Sequence, residues 1–390
     1  MSDTQDPMVQ PPEPASRWWS IPMASLGLLA LGAIAVAGLL PSETFTDKSV
    51  VDLDGQGTHR ETTPFARVPA SAEPVGDRVS FGQLPDSASQ FPTNNDFYFV
   101  TVSEPPQTAL SWFVGRGEES IVFITEIEKF GRSTPSERRQ RSRQMMATSE
   151  QIAQYVALEA AGYDVELVPG EVIVDQLLCF EVGADGECAI SAPADTVLDA
   201  GDVLVSAGGT KLDTLDDLQR ALVERRPGDV IEVELRRGES NKTVDVELIG
   251  DPDDPGRTLV GFLPVDTARV ELPFEVDIDT GAIGGPSAGL AFTLSLLDQL
   301  TPGDLSPDDV AVTGTIGVEG TVGAIGGLPQ KVEAVKMTGV DVFLVPASQG
   351  DLDEAQAVAG NDIELVPVAD LDEALAALER LGGDPLAATD

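Results

Sequence analysis

With 390 residues, the chain is long enough for two or three domains with a substantial core. Its 66 acidic and 24 basic residues give a formal net charge of -42, which disfavours binding to the backbone of DNA or RNA. A single histidine, His59, and two cysteines are too few for a His/Cys zinc site, and nothing in the sequence indicates a cofactor. We therefore expect an acidic, hydrated surface and no nucleic acid, metal or cofactor.

Residues 18–40 form an apolar, uncharged run. At about 1.5 Å per residue, a helix of this length crosses a hydrocarbon layer of about 30 Å. Two tryptophans at its start, after an arginine, predict a cytoplasmic tail at 1–17 and a single-pass anchor in the cell membrane. A cleaved signal peptide with a cleavage site at 35–37 is the alternative. Both interpretations place the residues beyond about 42 outside the cytoplasm.

The range 42–177 is expected to be the N-terminal part of the extracytoplasmic region. Alternation and helical spacing of apolar residues predict strands at 97–103, 120–126 and 165–174 and helices at 133–147 and 148–161. The first of these helices carries the only basic run of the chain, with arginines at 138, 139, 141 and 143. We interpret this run as a solvated helix face and not as a binding patch.

Residues 178–250 have a different character and predict a β-rich module. Short strands surround a helix at 214–224, and strands at 230–236 and 243–248 form a closing hairpin. The proline- and acid-rich stretch at 251–256 is a suitable linker. Within the module, Cys179 and Cys188 leave two states open, a short disulfide in an oxidising compartment or two buried thiols.

Strands and helices alternate from 258 to 385, which predicts an α/β domain with its active groups on turns. The predicted helices lie at 287–300, 329–338, 352–359 and 371–381, and the predicted strands at 270–277, 309–316, 340–345 and 363–366.

One serine of this domain, Ser287, lies between a Gly-Gly-Pro turn and the apolar helix at 287–300. The free N–H groups at the start of a helix favour negative charge beside such a serine, although an N-cap serine is the alternative. A serine nucleophile needs a base. His59, the only histidine, is unsuited to this role because it lies in a polar stretch just after the membrane segment. The base would then be a lysine or a carboxylate.

Lys331 is the better candidate for this base, because it follows a second glycine turn in the first turn of a predicted helix. The helix dipole and burial would both lower its pKa, from ~10.4 toward roughly 7–8. Thr313, at a strand end, could hold Lys331 toward Ser287. Lys336 is a rival base, but it points to a different face of the helix.

Three ordered motifs resemble the Lon-type serine protease domain: Gly-Pro-Ser-Ala-Gly at 285–289, Val-Thr-Gly at 312–314 and Gly-Gly-Leu-Pro-Gln-Lys at 326–331. The resemblance implies a Ser-Lys dyad in which Ser287 is the nucleophile, Lys331 the general base and Thr313 the residue that orients the lysine. Backbone N–H groups beside the serine would stabilise the oxyanion.

The sequence departs from the ATP-dependent Lon enzymes at two points. Gly284 stands where many of them have aspartate, and the chain has no Gly-x-x-x-x-Gly-Lys-Ser/Thr phosphate loop. We therefore predict that ATP-driven unfolding is absent.

Residues 186–248 are similar to a PDZ domain. The stretch 198–204 matches the Leu-x-x-Gly-Asp-x-Leu pattern of that family, and 215–222 corresponds to its groove helix. The resemblance implies that an extended peptide adds as a strand beside the groove. The carboxylate loop is not evident, because 180–192 does not match the usual Gly-Leu-Gly-Phe pattern.

Taken together, residues 45–385 resemble the bacterial PDZ-containing Lon-like (YlbL-type) proteases. The resemblance implies an α+β multidomain protein with an N-terminal transmembrane helix, a PDZ-like β-rich module and a Lon-type α/β protease domain. The implied function is that of a membrane-anchored, ATP-independent serine endopeptidase, which cleaves unfolded or flexible protein segments outside the cytoplasm and binds peptides, including C-terminal tails. Lon-type domains also suggest a homo-oligomer, although no residue pattern here shows one.

Two other functions remain open at this stage. One is a non-catalytic PDZ scaffold that binds envelope protein tails and keeps a degenerate protease fold. The other is a self-processing protein whose only substrate is its own chain.

Overall fold

A computed structural model describes residues 20–51, 58–130, 135–182, 188–250 and 258–387. The helices in these ranges are α1 (Ser20–Leu39), α2 (Ala109–Gly115), α3 (Glu126–Phe130), α4 (Pro135–Ala160), α5 (Leu215–Leu222), α6 (Gly289–Leu300), α7 (Leu328–Lys336), α8 (Leu352–Ala359) and α9 (Leu371–Leu381).

The strands before residue 250 are β1 (Asp47–Val51), β2 (Thr58–Thr62), β3 (Phe65–Pro74), β4 (Val79–Phe81), β5 (Phe97–Ser103), β6 (Val122–Ile124), β7 (Glu166–Val168), β8 (Val172–Leu177), β9 (Cys179–Val182), β10 (Cys188–Ser191), β11 (Val203–Ala207), β12 (Thr210–Lys211), β13 (Val230–Arg237), β14 (Ser240–Glu247) and β15 (Ile249–Gly250). Those after it are β16 (Thr258–Leu259), β17 (Phe262–Asp266), β18 (Arg269–Glu271), β19 (Val276–Ile278), β20 (Val310–Val312), β21 (Thr315–Ile316), β22 (Val322–Gly323), β23 (Val342–Pro346) and β24 (Glu364–Val368).

Several predicted elements need correction. The two helices predicted at 133–147 and 148–161 form one continuous helix, α4, because no glycine or proline interrupts the chain where they meet. The strand predicted at 165–174 divides into β7 and β8 at Gly170, whose N–H donates to Asp213 O. Strand β3 was not predicted, since prolines at 69 and 74 argue against a strand. Its ladder with β5 is irregular between Pro69 and Ala72.

One six-stranded sheet, in the order β24-β23-β20-β5-β3-β6, builds the C-terminal α/β region. Strands β24, β23, β20 and β5 are parallel, and β3 and β6 are antiparallel to their neighbours. Strands β3, β5 and β6 precede the predicted domain range 258–385, so the sheet extends into the earlier part of the chain. Every residue of α6 is buried.

Successive residues of the parallel strands point to opposite faces of this sheet, as the two-residue period requires. Phe99, Val312 and Leu344 belong to the core that contains α6 and the inner face of α4. Their neighbours in the strands, including Val100 and Phe343, belong to the core that α7 and α8 cover. Helices α6 and α7 therefore lie on opposite faces of the sheet.

A second sheet forms the β-rich module, in the order β14-β13-β11-β8-β17, with β12 paired to β11. Strands β8 and β17 lie on either side of the predicted range 178–250. The end strand β17 begins at Phe262, directly after Gly261, so a Gly-Phe pair stands beside the groove helix α5 although none occurs in 180–192. Cys179 and Cys188 form a disulfide across the β9–β10 hairpin.

The structure does not confirm the predicted transmembrane helix at 18–40. Helix α1 runs from Ser20 to Leu39, and its side chains are described from Leu26 onward. Over the described residues, no helix combines the length and the apolar character that crossing a bilayer requires. The anchor therefore stays a prediction.

The β-rich module contacts the α/β region through the first turn of α5. The Asp216 carboxylate accepts a hydrogen bond of 2.8 Å from Val318 N, and burial raises its pKa. Arg220, one turn further along α5, forms ion pairs with Asp217 and with Glu319. The contacts with Val318 and Glu319 reach the turn between β21 and β22, and this hairpin begins directly after Thr313 and Gly314.

We expect Asp216→Ala to loosen this turn, because Val318 N–H would lose its acceptor, at a cost of about 1–3 kcal/mol. Hydrogen exchange of residues 315–323 should become faster. Asp216→Asn is the matched control, since its side-chain oxygen can still accept the bond. Equal exchange in the two variants would show that the contact does not hold the turn.

Candidate active site

Four chain segments converge on the side-chain nitrogen of Lys331. This Nζ lies 2.8 Å from Ser287 Oγ, 2.9 Å from Thr313 Oγ1 and 2.7 Å from the carbonyl oxygen of Val100. Lys331 is only 2% exposed and Thr313 is fully buried. The three residues singled out in the sequence, Ser287, Lys331 and Thr313, are therefore brought together.

The sheet explains why these groups meet. Phe99 pairs with Val312 in the parallel ladder of β5 and β20, so Val100 and Thr313 are neighbours at the edge of the sheet where β20 ends. Ser287 reaches this edge from the start of α6 on one face. Lys331 reaches it from the first turn of α7 on the other face.

A glycine conformation places Lys331 in this position. Gly327, the N-cap of α7, has a left-handed backbone with φ of 72°. A Cβ atom there would approach Arg67 Cδ and Gln330 Oε1 at 2.9 Å each. The conformation and the crowding both favour glycine, and the Gly327 carbonyl accepts a 3.1 Å bond from Lys331 N.

The hydrogen bonds around Lys331 show whether an N–H bond or the lone pair of its amine faces Ser287. The Thr313 hydroxyl donates to the carbonyl oxygen of Ser287 at 3.1 Å, so its oxygen is an acceptor toward Lys331. A neutral lysine has two N–H bonds, and the oxygens of Val100 and Thr313 can accept both. Its lone pair is then free to accept the proton of Ser287 Oγ.

The electrostatic environment favours this neutral form. Burial lowers the pKa of Lys331 from its ordinary value of 10.5 to about 7. Within the described ranges, no carboxylate forms an ion pair with the lysine that would counter this effect. A large fraction of Lys331 is therefore neutral near neutral pH.

The turn before α6 displays Ser287 without using it as a helix cap. The N-cap position of α6 belongs to Ala288, and no side chain caps this end, so the alternative of an N-cap serine is wrong. Gly285 has φ of 97°, in the region that favours glycine. The carbonyl oxygen of Ser287 accepts bonds from Gly314 N at 3.0 Å and from Thr313 Oγ1.

Two N–H groups are available beside the serine oxygen. In the described part of the chain, the backbone N–H groups of Ser287 and Ala288 donate to no acceptor, whereas Leu290 N donates to Gly314 O at 3.2 Å. They lie at the N-terminal end of a 12-residue helix, where the helix dipole favours negative charge. They could stabilise an oxyanion that forms at Ser287.

Helix α4 supports the turn from its other side, which the sequence reasoning missed. Ser142 O accepts a 2.8 Å bond from Gly285 N, and Ser149 Oγ donates to Pro286 O at 3.0 Å. The seven-residue spacing of the two serines on one helix face was the available signal. The hydrogen bond from Lys331 to Val100 could not be predicted from a residue type, because only the backbone carbonyl of Val100 takes part.

The rival groups lie elsewhere. Lys336 Nζ donates to Val358 O at 2.8 Å and pairs with Asp362 at 3.2 Å, so it is directed away from Ser287. His59 belongs to β2, which pairs with β1. Over the described residues, no three His, Cys, Asp or Glu side chains come close enough to hold a metal ion.

Comparisons with known proteins match two parts of this chain to two domain families. Residues 271–380 match the family model of the Lon protease (S16) C-terminal proteolytic domain, and residues 180–248 match that of the PDZ domain. The chain is 30% identical to Lon protease 1 of Sorangium cellulosum over 40% of its own length and 20% of that protein. It is 43% identical to a Lon protease of Xanthomonas oryzae pv. oryzae over 25% of its own length and 11% of that protein.

Among solved structures, the PDZ domain of an SdrC-like protein from Listeria monocytogenes aligns with 26% of this chain and 93% of its own, at 22% identity and a TM-score of 0.20. The chain spans a fifth or less of the length of the two Lon proteases above. The chain therefore matches the proteolytic domain of a class of serine peptidases. In particular, the chain carries a Lon-type proteolytic domain together with a PDZ domain, the combination of PDZ-containing Lon-like proteases.

The buried lysine predicts a specific pH dependence of stability. Because the pKa of Lys331 is lowered in the folded state, the unfolded chain binds one more proton between about pH 7 and 10.5. The free energy of unfolding of the wild type should therefore rise over this range by up to about 1.4 kcal/mol per pH unit, relative to Lys331→Met. Parallel stability curves of the two proteins from pH 7 to 10 would contradict the lowered pKa.

The Gly284 position predicts a steric coupling between α4 and the Gly-Gly-Pro-Ser turn at 284–287, called the serine turn below. A Cβ atom on Gly284 would lie 2.4 Å from Ser142 Oγ and 3.1 Å from the Ser142 carbonyl carbon. We expect Gly284→Ala to displace the turn and to slow labelling of Ser287 by a serine-directed fluorophosphonate, on the order of tenfold to a hundredfold.

The double variant Gly284→Ala/Ser142→Gly should recover part of this rate, because it removes the closer of the two contacts. Ser142→Gly alone is the control for the cost of a glycine inside α4. Labelling of Gly284→Ala at the wild-type rate would show that the turn tolerates the side chain.

Proposed function

We propose that the protein is an ATP-independent serine endopeptidase in which Ser287 is the nucleophile and Lys331 the general base. The observation that carries the proposal is the position of Lys331 Nζ. Its two fixed acceptors, Val100 O and Thr313 Oγ1, use both N–H bonds of the neutral amine and leave the lone pair for Ser287. A serine hydroxyl 2.8 Å from such a base is activated for attack on a carbonyl carbon.

The reaction follows from this geometry in two stages. As Ser287 Oγ attacks the peptide carbonyl, its proton moves to Lys331, and the N–H groups of Ser287 and Ala288 stabilise the oxyanion. The resulting ammonium then protonates the leaving amine, which leaves an acyl-serine. The neutral lysine next takes a proton from water as the water oxygen attacks the acyl carbon. The bond between this carbon and Ser287 Oγ then breaks, Lys331 returns the proton to Ser287 Oγ, and the carboxylic acid is released.

Thr313 acts in this scheme as a positioning residue. Its hydroxyl donates to Ser287 O and accepts from Lys331, so a single side chain fixes the base relative to the nucleophile. Thr313 is fully buried, and its own backbone N–H donates to Leu344 O at 3.0 Å. The hydroxyl therefore has little freedom to move.

Flexible protein segments are the substrate class that this architecture suits. The PDZ match and the protease match together support binding of peptides or proteins. Strand β17 is the last strand of the second sheet and lies beside α5, so an extended tail could pair with it. ATP independence is supported by the lack of a phosphate-loop motif in the sequence.

We also propose a membrane anchor and an extracytoplasmic catalytic region. The proposal rests on the apolar run at 18–40 and on the exposed leucines of α1, such as Leu26, Leu29 and Leu39, which are 72–82% exposed. The disulfide between Cys179 and Cys188 is consistent with an oxidising compartment.

The full-length chain in detergent should cleave reduced, unfolded casein without ATP. Ser287→Ala and Lys331→Ala should reduce cleavage to background, whereas Lys336→Ala on the same helix should retain it.

Thr313→Val should lose activity on the order of a hundredfold, and Thr313→Ser should recover most of it because the hydroxyl returns. Below about pH 7, kcat/KM should rise tenfold per pH unit, since the neutral form of Lys331 is the base.

Full activity in Ser287→Ala or Lys331→Ala would exclude the dyad, and a requirement for ATP would exclude the proposed energy independence. A wild-type chain that neither cleaves casein nor reacts with a fluorophosphonate would favour the PDZ scaffold instead. Cleavage confined to the protein's own chain would favour self-processing.

A further inference from the structure

The basic run of α4 includes the residue of the helix that contacts the turn before Ser287. The Ser142 carbonyl binds Gly285 N, and Ser142 packs directly against Gly284. Arg143 is the next residue along the helix, and Arg139 lies one turn before it. Arg143 is therefore one residue, and Arg139 three residues, from the helix residue that contacts the turn that carries Ser287.

The four arginines of the run differ in their partners. Arg138 pairs with Glu104 at 2.9 Å, and Arg141 pairs with Asp175 at 3.6 Å. Arg139 and Arg143 are exposed, and in the part of the chain that the structure describes neither forms an ion pair. The Arg143 Nε donates to the Arg139 carbonyl at 3.4 Å, which leaves both guanidinium groups able to bind an anion.

The two side chains line an open depression on the surface, together with Ser136 and Gln140. All four lining residues are polar or positively charged. In a chain of net charge -42, two guanidinium groups without an ion pair among the described residues are a local exception. Salt limits electrostatic effects to about 8 Å at physiological ionic strength, so the local charge decides what binds at this point.

We propose that Arg139 and Arg143 form a subsite for a carboxylate of the peptide substrate, a few residues from the scissile bond. The proposal rests on the proposed peptidase function and names a preference within it, for acidic segments. Guanidinium groups bind carboxylates through paired N–H donors, which lysine cannot reproduce. An extended peptide advances about 3.3 Å per residue, so a side chain three residues from the bond under attack can lie roughly 10 Å from it, and we place this side chain in the depression.

Binding to the full-length Ser287→Ala chain in detergent tests the subsite without turnover. The probes are fluorescein-labelled peptides of equal length with a glutamate, glutamine or lysine pair at the same positions. An amidated C-terminus prevents capture of a free carboxylate by the PDZ domain, and a free-acid version of each peptide measures that capture. We expect the glutamate peptide to bind most tightly, and its dissociation constant to rise with salt.

Adding Arg139→Gln and Arg143→Gln should weaken binding of the glutamate peptide about fivefold and leave the glutamine peptide unchanged. Arg139→Glu with Arg143→Glu should favour the lysine peptide. Arg380→Gln in α9 is the matched control, because Arg380 is exposed and its Nε also donates to the carbonyl four residues earlier, that of Ala376.

Equal binding of the three peptides by Ser287→Ala, or an equal loss for all of them in the arginine variants, would overturn the subsite. A change of oligomeric mass in the arginine variants, without a change in peptide binding, would also overturn it and assign the arginines to contacts between copies. Glutamate-selective binding without casein cleavage by the wild type would retain the subsite and count against the proposed peptidase.

Discussion

The buried amine of Lys331 is the constraint on which the rest of the site depends. A lysine that is 2% exposed must find acceptors inside the protein or lose its proton, and here both occur. Val100 and Thr313 provide two fixed acceptors, and burial lowers the pKa to about 7. Because the sheet fixes the positions of both acceptors, the lone pair of the Lys331 amine points toward Ser287. The same surroundings thus remove water from the Lys331 amine and orient it.

The sheet makes these contacts possible because β20 ends beside the middle of the parallel strand β5. The core on one face fixes α6 and therefore Ser287, and the core on the other fixes α7 and therefore Lys331. The register of β5 with β20 aligns Val100 with Thr313 between them. Strand β5 lies far from the catalytic motifs in sequence, so the earlier part of the chain is needed to complete the site.

The sequence was sufficient for the groups whose chemistry resides in side chains. Ser287, Lys331 and Thr313 each follow a recognisable local pattern, and the helices at 352–359 and 371–381 were predicted with the bounds that the structure has. The carbonyl of Val100 could not be predicted, because any residue supplies one and only strand pairing selects it. Strand β3 was missed because its prolines oppose a strand locally, whereas pairing with both β5 and β6 stabilises it. In both cases long-range contacts decided the outcome.

Helix α4 carries both the contacts that hold the turn before Ser287 and the basic run of the chain. Ser142 and Ser149 hold the serine turn through Gly285 N and Pro286 O, and Ala153 on the same face is fully buried against α6. The buried face fixes the rotation of the helix, since a shift of one residue turns it by about 100°. Arg143 follows Ser142 directly, so its direction is fixed by the same packing. The core contacts that hold the turn before Ser287 therefore also determine where α4 carries Arg143, which has no ion pair among the described residues.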